Sequence, residues 1–407
     1  MNIKLLLSTT FIAASLSVSA QDANKTFAIT GDGNRDFMWM NIRQVDITTG
    51  KIVTDVYQRD KTTFVMKDAD SKTQSAAHRT PTETMVAAAA YDKNQNKLFF
   101  TPMRVGELRW LDLNAKDNEQ KYYTVTSTLL NTNNELNDEA NQFSRMVIAA
   151  DGNGYALTND ASRLVKFTTG KKVTITDLGA VMDDESNKTV SIQNKCTSWG
   201  GDMIADAYNK LYIISANHYV FVLDVETRVA KQIGYITGLP AAYSTNGAAV
   251  DKDGNVVVAS ANTFAGYYKF SLKDFAATFV EGSDMVYNAS DLANGNLLYQ
   301  KEVDAARTFA DFKPVVPVLT NEAHIYPNPV TNSEFKIYFE GQQAGRYNVT
   351  ITDLSGKPLM NRIVTVGNAK AQVETVQLSR SFAKGMYMVK VTDANNKFIF
   401  TERIVVQ

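Results

Sequence analysis

The 407-residue sequence predicts an all-β protein, a β-propeller of about six blades (five to seven is the range) followed by a small separate domain of short strands. Three observations lead there. A segment of ~40 to 60 residues recurs through the middle of the chain, which is blade length. Apolar residues show no sustained period near 3.6, so a helical solenoid is excluded. Over the last ~87 residues the pattern changes to strict alternation, the period of strands with one buried face.

Residues 1–20 read as a signal peptide. Lys4 gives a positive start, Leu5-Leu6-Leu7 through Phe11-Ile12-Ala13-Ala14 an apolar core, and Val18-Ser19-Ala20 the small residues expected before cleavage between Ala20 and Gln21. No stretch reaches the ~20 apolar residues of a membrane helix. No Cys lies near the cleavage site, which argues against a lipid anchor.

The propeller is expected over 21–313. Phe27 to Thr30, Phe37 to Asp46 and Lys51 to Tyr57 form its first strands, and an N-terminal strand is expected to close the ring against the last blade, hiding both edges. The repeats begin Val86-Ala87-Ala88-Ala89-Ala90-Tyr91-Asp92, Met146-Val147-Ile148-Ala149-Ala150-Asp151, Met203-Ile204-Ala205-Asp206 and Ala248-Ala249-Val250-Asp251. A weaker copy runs from Met285 through Asp291 and Gly295 to Leu297-Leu298-Tyr299. Small residues suit innermost strands crowded around a channel, and Asp-x-x-Asn or Asp-Gly turns tolerate the positive φ of tight hairpins. Pro314-Val315-Val316-Pro317 marks a stiff linker, 314–320, and the C-terminal domain follows over 321–407.

Forty-two basic against 43 acidic residues give a formal net charge of −1, so no global field would gather nucleic acid. The lone Cys196 makes no internal disulfide and is expected as a small buried residue. In a propeller, the loops leading into innermost strands and those joining second to third strands gather on one face. That face would carry Arg104, Arg145, Asn159, Asp160, Trp199, Asp202, Asn217, His218, Asn246 and Asn262, groups suited to binding a glycan or peptide by stacking and hydrogen bonds. Ordinary polar loops are the bland reading of the same set, with Trp199 a plug for the channel.

Catalytic signals are thin. The three histidines, His78, His218 and His324, show no metal-ligand spacing, and no catalytic residues, metal site or cofactor are assigned. Asp32, Asn34 and Asp36 have the spacing of a calcium loop, but Phe37 stands where its glycine belongs, so a hairpin turn is preferred to calcium.

Two resemblances add to this. In strand grammar the repeats resemble NHL or YVTN-type propeller blades, and no functional residue is carried over from them. The tail, with its Tyr326-Pro327-Asn328-Pro329 opening, Asp353-Leu354-Ser355-Gly356-Lys357 turn and Gly385-Met386-Tyr387-Met388-Val389 strand, resembles the type A C-terminal sorting domain of the Bacteroidetes type IX (Por) secretion system. That resemblance implies an immunoglobulin-like sandwich read by the translocon and removed by a sortase-like peptidase, with the body released or held on the outer membrane. It gives roles to Tyr326, Pro327, Asn328, Pro329, Gly345, Gly356, Gly385 and Tyr387.

Three functional classes stay open: a non-enzymatic surface or secreted binding protein for glycan or protein, an extracellular hydrolase or lyase acting on polysaccharide or peptide, and a structural or adhesive envelope component. The enzyme class predicts two carboxylates, or His218 with a carboxylate, converging on a shared substrate position; a deep cleft joining Asp160, Asp202 and His218 would favour it, and a shallow, plugged face would favour adhesion.

Overall fold

The computed structural model describes residues 25–33, 36–74, 80–115, 119–130, 138–282, 287–311, 324–340, 342–367, 371–379 and 382–407. The signal segment, the Ala20–Gln21 junction, Asn34, His78 and the linker lie outside the described residues. The chain divides into two compact units, Met1–Thr308 and Phe309–Gln407.

In the first unit, β1 (Lys25–Thr30), β2 (Asn41–Asp46) and β3 (Ile52–Tyr57) are followed by β4 (Phe64–Asp68), β5 (Val86–Asp92), β6 (Lys97–Pro102), β7 (Glu107–Asp112) and β8 (Gln120–Thr126). Next come β9 (Phe143–Ile148), β10 (Gly154–Thr158), β11 (Leu164–Phe167), β12 (Ile175–Gly179), β13 (Met182–Asp183), the one-turn helix α1 (Lys195–Ser198), and β14 (Asp202–Ala205), β15 (Leu211–Ile214), β16 (Tyr219–Asp224) and β17 (Val229–Tyr235). The last strands are β18 (Gly247–Val250), β19 (Val256–Ala259), β20 (Tyr268–Phe270), β21 (Thr278–Phe279) and β22 (Ala289–Asn294). They pair as β5-β6-β7-β8-β4, β9 to β12, β14-β15-β16-β17-β13, β18 to β21, and β22-β1-β2-β3.

The innermost strands β5, β9, β14, β18 and β22 pack side by side and return on themselves, so the described residues form a propeller of five blades, the low end of the expected range. The final repeat explains the difference. Its innermost strand β22 pairs with β1, Leu292 opposite Ala28, so the N-terminus supplies the three outer strands of that blade. Leu297-Leu298 is therefore not a second strand. Leu298 instead crosses to the end of β14, donating its N–H to the Ala205 carbonyl and accepting from Ala207, before helix α2 (Gln300–Asp311) begins.

Local chemistry fixes the hairpins. Asp92, Asp206, Asp251 and Asp224 each turn a carboxylate oxygen onto the backbone N–H two residues ahead, at 2.8 to 2.9 Å. Left-handed residues follow at Asn96, Asn209, Gly254 and Arg228. In the first three turns sequence favours both halves, an Asx acceptor and then a position that Asn or Gly adopts at little cost, whereas Arg228 takes that position against its side chain's preference. Inside the ring, alanines on β5 and β18 let the strands converge. A Cβ at Gly247 would stand 2.9 Å from the Leu292 nitrogen, so only glycine allows β18 this close to β22. Between the later halves of the innermost strands a gap of about 10 Å³ remains, room for no more than roughly one water.

The second unit has its own core, built on Phe335, Ile337, Val349, Ile351, Val389 and Ile404. Two sheets enclose it. One orders β23 (His324–Tyr326), β24 (Glu334–Glu340) and β27 (Ala371–Gln377); the other orders β26 (Pro358–Val366), β25 (Gly345–Thr352), β28 (Gly385–Asp393) and β29 (Phe398–Val406). Both central strands begin Gly-x-Tyr-x-Val, and both tyrosines tie their hydroxyl to a carbonyl four residues upstream, Tyr347 to Gln343 and Tyr387 to Ala383. Such a bond pins the corner where the chain enters the sheet. Gly356 takes φ +83° in the Asp353 turn, a role no side chain fills cheaply.

Candidate functional site

The gathering face is held together by its own polar groups. Each loop joining a second to a third strand, or in the closing blade β1 to β2, bonds the segment leading into the next blade's innermost strand. Val86 and Thr82 bond the Trp39 and Met40 carbonyls. Arg104 donates its N–H to Gln142 at 2.7 Å, and Asn159 accepts from Gly200 at 2.7 Å. Thr245 bonds Ala216, and Asn288 bonds Ala261. The loop amides therefore act largely as mortar between blades.

At the centre, Arg145 is fully buried on β9. Its guanidinium donates to the carbonyls of Thr158 (3.0 Å), Asn159 (3.4 Å), Gly200 (2.9 and 3.1 Å) and Ser198. Local sequence presents those carbonyls: Asn194 caps α1 through the Cys196 N–H, and Gly200 and Gly201 turn sharply at φ +69° and +90°. Burial pulls the Arg145 pKa down to about 10, against the opposing pull of Asp202 and Asp160.

Asp202 on β14 is also fully buried, accepting from Met203 (2.7 Å), Ala248 (2.7 Å) and Leu292 (3.5 Å), and so reaches two neighbouring innermost strands. Asp291 on β22 accepts from Ala89 of β5 at 3.0 Å. Its other oxygen has no hydrogen-bond partner, and the nearby Asp202 charge adds to burial in raising its pKa. Two buried carboxylates that feel each other's charge do not both stay ionised, so one carries a proton. Burial, and for Asp291 also the charge of Asp202, pushes both pKa values well above the ordinary carboxyl range. Acids that hold a proton beside an arginine could do acid–base chemistry in an open cleft. Here all three side chains are fully buried.

The other sequence candidates separate. Asp160 accepts from Thr158 (2.8 Å) and Ser162 (2.7 Å) in its own loop. His218 pairs Nε2 with the Tyr243 carbonyl at 2.6 Å and places Nδ1 3.4 Å from the Tyr235 hydroxyl. Asp160, Asp202 and His218 each satisfy different partners and share no substrate position. Trp199 is half-buried, its indole N–H on Gln193 and Lys195 above its ring, and Asn217 bonds the Cys196 carbonyl. Asn246 accepts from Ser244 and Ala261, while Arg104 and Asn262 are exposed. Cys196 is exposed rather than buried, because the short α1 lies on the surface with only Ser198 turned inward. Asp36 receives the Asp32 and Met38 N–H groups, and among the described residues no three His, Cys, Asp or Glu side chains are grouped to hold a metal ion.

Open concavities lie on the opposite, hairpin face. One of about 340 Å³ is lined by Lys93, Asp253, Lys273, Tyr299 and Lys301 among others; its neighbour, about 330 Å³, is lined by Asp92, Asn94, Ala207, Val303 and Asp304. Lys93, Leu297 and Gln300 border both. None of the ten gathering-face candidates lines either cavity. Sequence reasoning missed Lys93, Tyr299 and Asp291. For Asp291 a signal existed, since it faces Ile29 across β1 much as Asp202 faces Ile214 across β15.

A five-bladed propeller with a separate C-terminal sandwich defines the class. Residues 324–407 match the secretion system C-terminal sorting domain family, and the tail is that sorting domain. It directs the chain to the cell surface or the medium, and no helix among the described residues is long and apolar enough to cross a membrane. No curated protein matches the sequence. Solved structures similar to it include PorZ, a surface component of the type-IX secretion system of Porphyromonas gingivalis (13% identity, TM-score 0.28, covering 94% of this chain and 51% of that one). Others are virginiamycin B lyase from Staphylococcus aureus (11%, 0.32, 90% and 92%) and the periplasmic gluconolactonase of Pseudomonas aeruginosa (7%, 0.33, 94% and 96%). This chain spans about half the length of PorZ. Likenesses this distant bear on neither activity nor ligand.

Proposed function

We propose that the body is a non-enzymatic binding protein for a glycan, displayed on the cell surface or released. One observation carries this reading: the groups with catalytic potential, Arg145, Asp202 and Asp291, are fully buried, whereas the open cavities offer lysines, amides and a tyrosine to a ligand. Concave sites of roughly 300 Å³ and more with convergent polar groups suit small ligands better than flat protein surfaces. The signal peptide starts export, the translocon reads the sorting domain, and a sortase-like peptidase removes it.

Probing glycan and peptide arrays with the mature protein tests this, followed by incubation with any hit and analysis of products. Glycan binding without turnover is expected. Cleavage of the hit would make the protein an enzyme, a peptide-only hit would replace the glycan, and silence on both arrays would leave a scaffold.

A further inference from the structure

We infer that Tyr208 and Tyr299 form a stacking platform for an uncharged oligosaccharide, whose hydroxyls turn into the adjoining hairpin-face cavities. The inference rests on the glycan-binding reading and names the chemistry of its ligand.

The fold builds the platform. Past the end of β22, Leu298 makes a parallel bridge to Asp206, donating its N–H to the Ala205 carbonyl and accepting from Ala207. Leu298 is buried, so the bridge is held from below. The residues just beyond it, Tyr208 on one side and Tyr299 on the other, are thereby brought together, their ring centroids 6.4 Å apart and tilted by 45°. Asp206 fixes the first by accepting the Tyr208 N–H at 2.8 Å. Tyr299 takes φ +59°, a left-handed conformation that a bulky side chain enters at a cost, and its carbonyl accepts from Val303 in the first turn of α2.

Neither ring is covered: Tyr208 is 61% exposed, and Tyr299, in the wall of the 340 Å³ cavity, is 38% exposed. Single exposed aromatics are ordinary on a protein surface, but a pair beside an open concavity offers a ligand a flat apolar contact. A sugar ring has C–H faces that stack on such a surface and hydroxyl edges that need amides and charged groups. Asn94, Gln300 and Lys93 in the cavity walls supply the second kind.

Charge gives no advantage to an ionised sugar. The two walls together carry five carboxylates against four lysines. Asp92 and Asp251 are buried and accept turn N–H groups, while Asp253 is shared by Lys252 (2.7 Å) and Lys301 (3.0 Å). So near a balance favours neither a uronic acid nor an amino sugar, and selection falls to stacking and hydroxyl recognition.

Calorimetric titration of the mature protein with maltotetraose, cellotetraose, mannotetraose and N-acetylchitotetraose tests the inference, with tetragalacturonate as acidic and chitotetraose as basic probe. A neutral probe should bind more tightly than either charged one, and its affinity should change by less than ~2-fold between about 50 and about 500 mM salt. Tyr208→Ala and Tyr299→Asn, the latter suited to positive φ, should each weaken binding at least ~5-fold without loss of the parent's melting transition. Tyr208→Phe should restore the binding that Tyr208→Ala loses, because the ring returns. Phe37→Ser, which removes an exposed aromatic from the other face, should bind like the parent. Binding of tetragalacturonate or chitotetraose as tight as that of every neutral probe would overturn the uncharged class. Parent-like binding by Tyr208→Ala or Tyr299→Asn, or loss in Phe37→Ser, would overturn the platform. In each of those cases a glycan binds and the glycan-binding reading stands; if no glycan binds, both fail.

Discussion

The side chain of Asn328 completes the outer edge of the last strand, its Oδ1 accepting from the Val405 N–H at 3.0 Å while Nδ2 donates to the Arg403 carbonyl at 2.7 Å. Val330 continues the pairing, donating to Val405 and accepting from Gln407. The Tyr-Pro-Asn-Pro opening is thus a clamp, with an amide that imitates backbone where proline has no N–H to give.

Replacing Asn328 with Ala removes both bonds from an exposed site, and about 1 kcal/mol of sorting-domain stability should go with them. Asn328→Asp keeps the acceptor for the Val405 N–H and loses only the donor to the Arg403 carbonyl, so it should cost less than Ala. Hydrogen exchange at the Val405 amide reads this directly: faster exchange is expected in Asn328→Ala and protection nearer the parent's in Asn328→Asp, and unchanged protection in Asn328→Ala would show that the clamp contributes nothing.

Arg145→Met should be severe. It leaves carbonyls of Thr158, Asn159, Ser198 and Gly200 without their donor and Asp202 without its nearby cation, a loss on the order of 3–5 kcal/mol. Lys at this position should recover little, since one ammonium cannot serve a fork of four carbonyls. Denaturant melts of the three proteins check this; a Lys variant as stable as the parent would mean that charge alone matters.

These two sites show what the sequence could and could not reveal. The strands and hairpins were legible because each Asp acceptor and each left-handed Asn or Gly sits inside its own turn, as at Asp206 and Asn209. The closing of the ring by the N-terminus was legible too. The number of blades was not fixed, because Leu297-Leu298 has the composition of a strand and only the prior pairing of β22 with β1 leaves it none to make. Arg145 and Asp202 were read as ligand groups because sequence gives a residue's type and approximate place, not whether burial and a neighbouring blade have already claimed its polar atoms.

The raised pKa values of the buried Asp202 and Asp291 predict a pH dependence with a definite sign. Both folded pKa values lie well above the unfolded value of 3.8, so folding takes up protons. The associated stability is complete below the unfolded pKa and is lost as pH rises through the folded values. Asp291→Asn keeps an acceptor for the Ala89 N–H, offers a donor to Asp202 and removes one titration. Its melting temperature relative to the parent should therefore climb between pH 5 and pH 8. Parallel curves for the two proteins would show that the pair does not hold a proton in this range.

Export is the last property open to a direct test, and the folding of the two units makes that test clean. The sandwich has its own core, drawn wholly from residues 325–406, and the propeller closes its ring with β22 and β1, upstream of the linker. Truncation after Leu319 should therefore leave the propeller's melting transition in place while removing the sorting domain. The truncated protein should accumulate in the periplasm, folded and soluble, whereas the full chain reaches the cell surface or the medium. Fractionation with a melt of the periplasmic pool separates the outcomes. Arrival of the truncated chain outside the cell would remove the tail from the export route, and an unfolded periplasmic pool would show that the propeller depends on residues beyond Leu319.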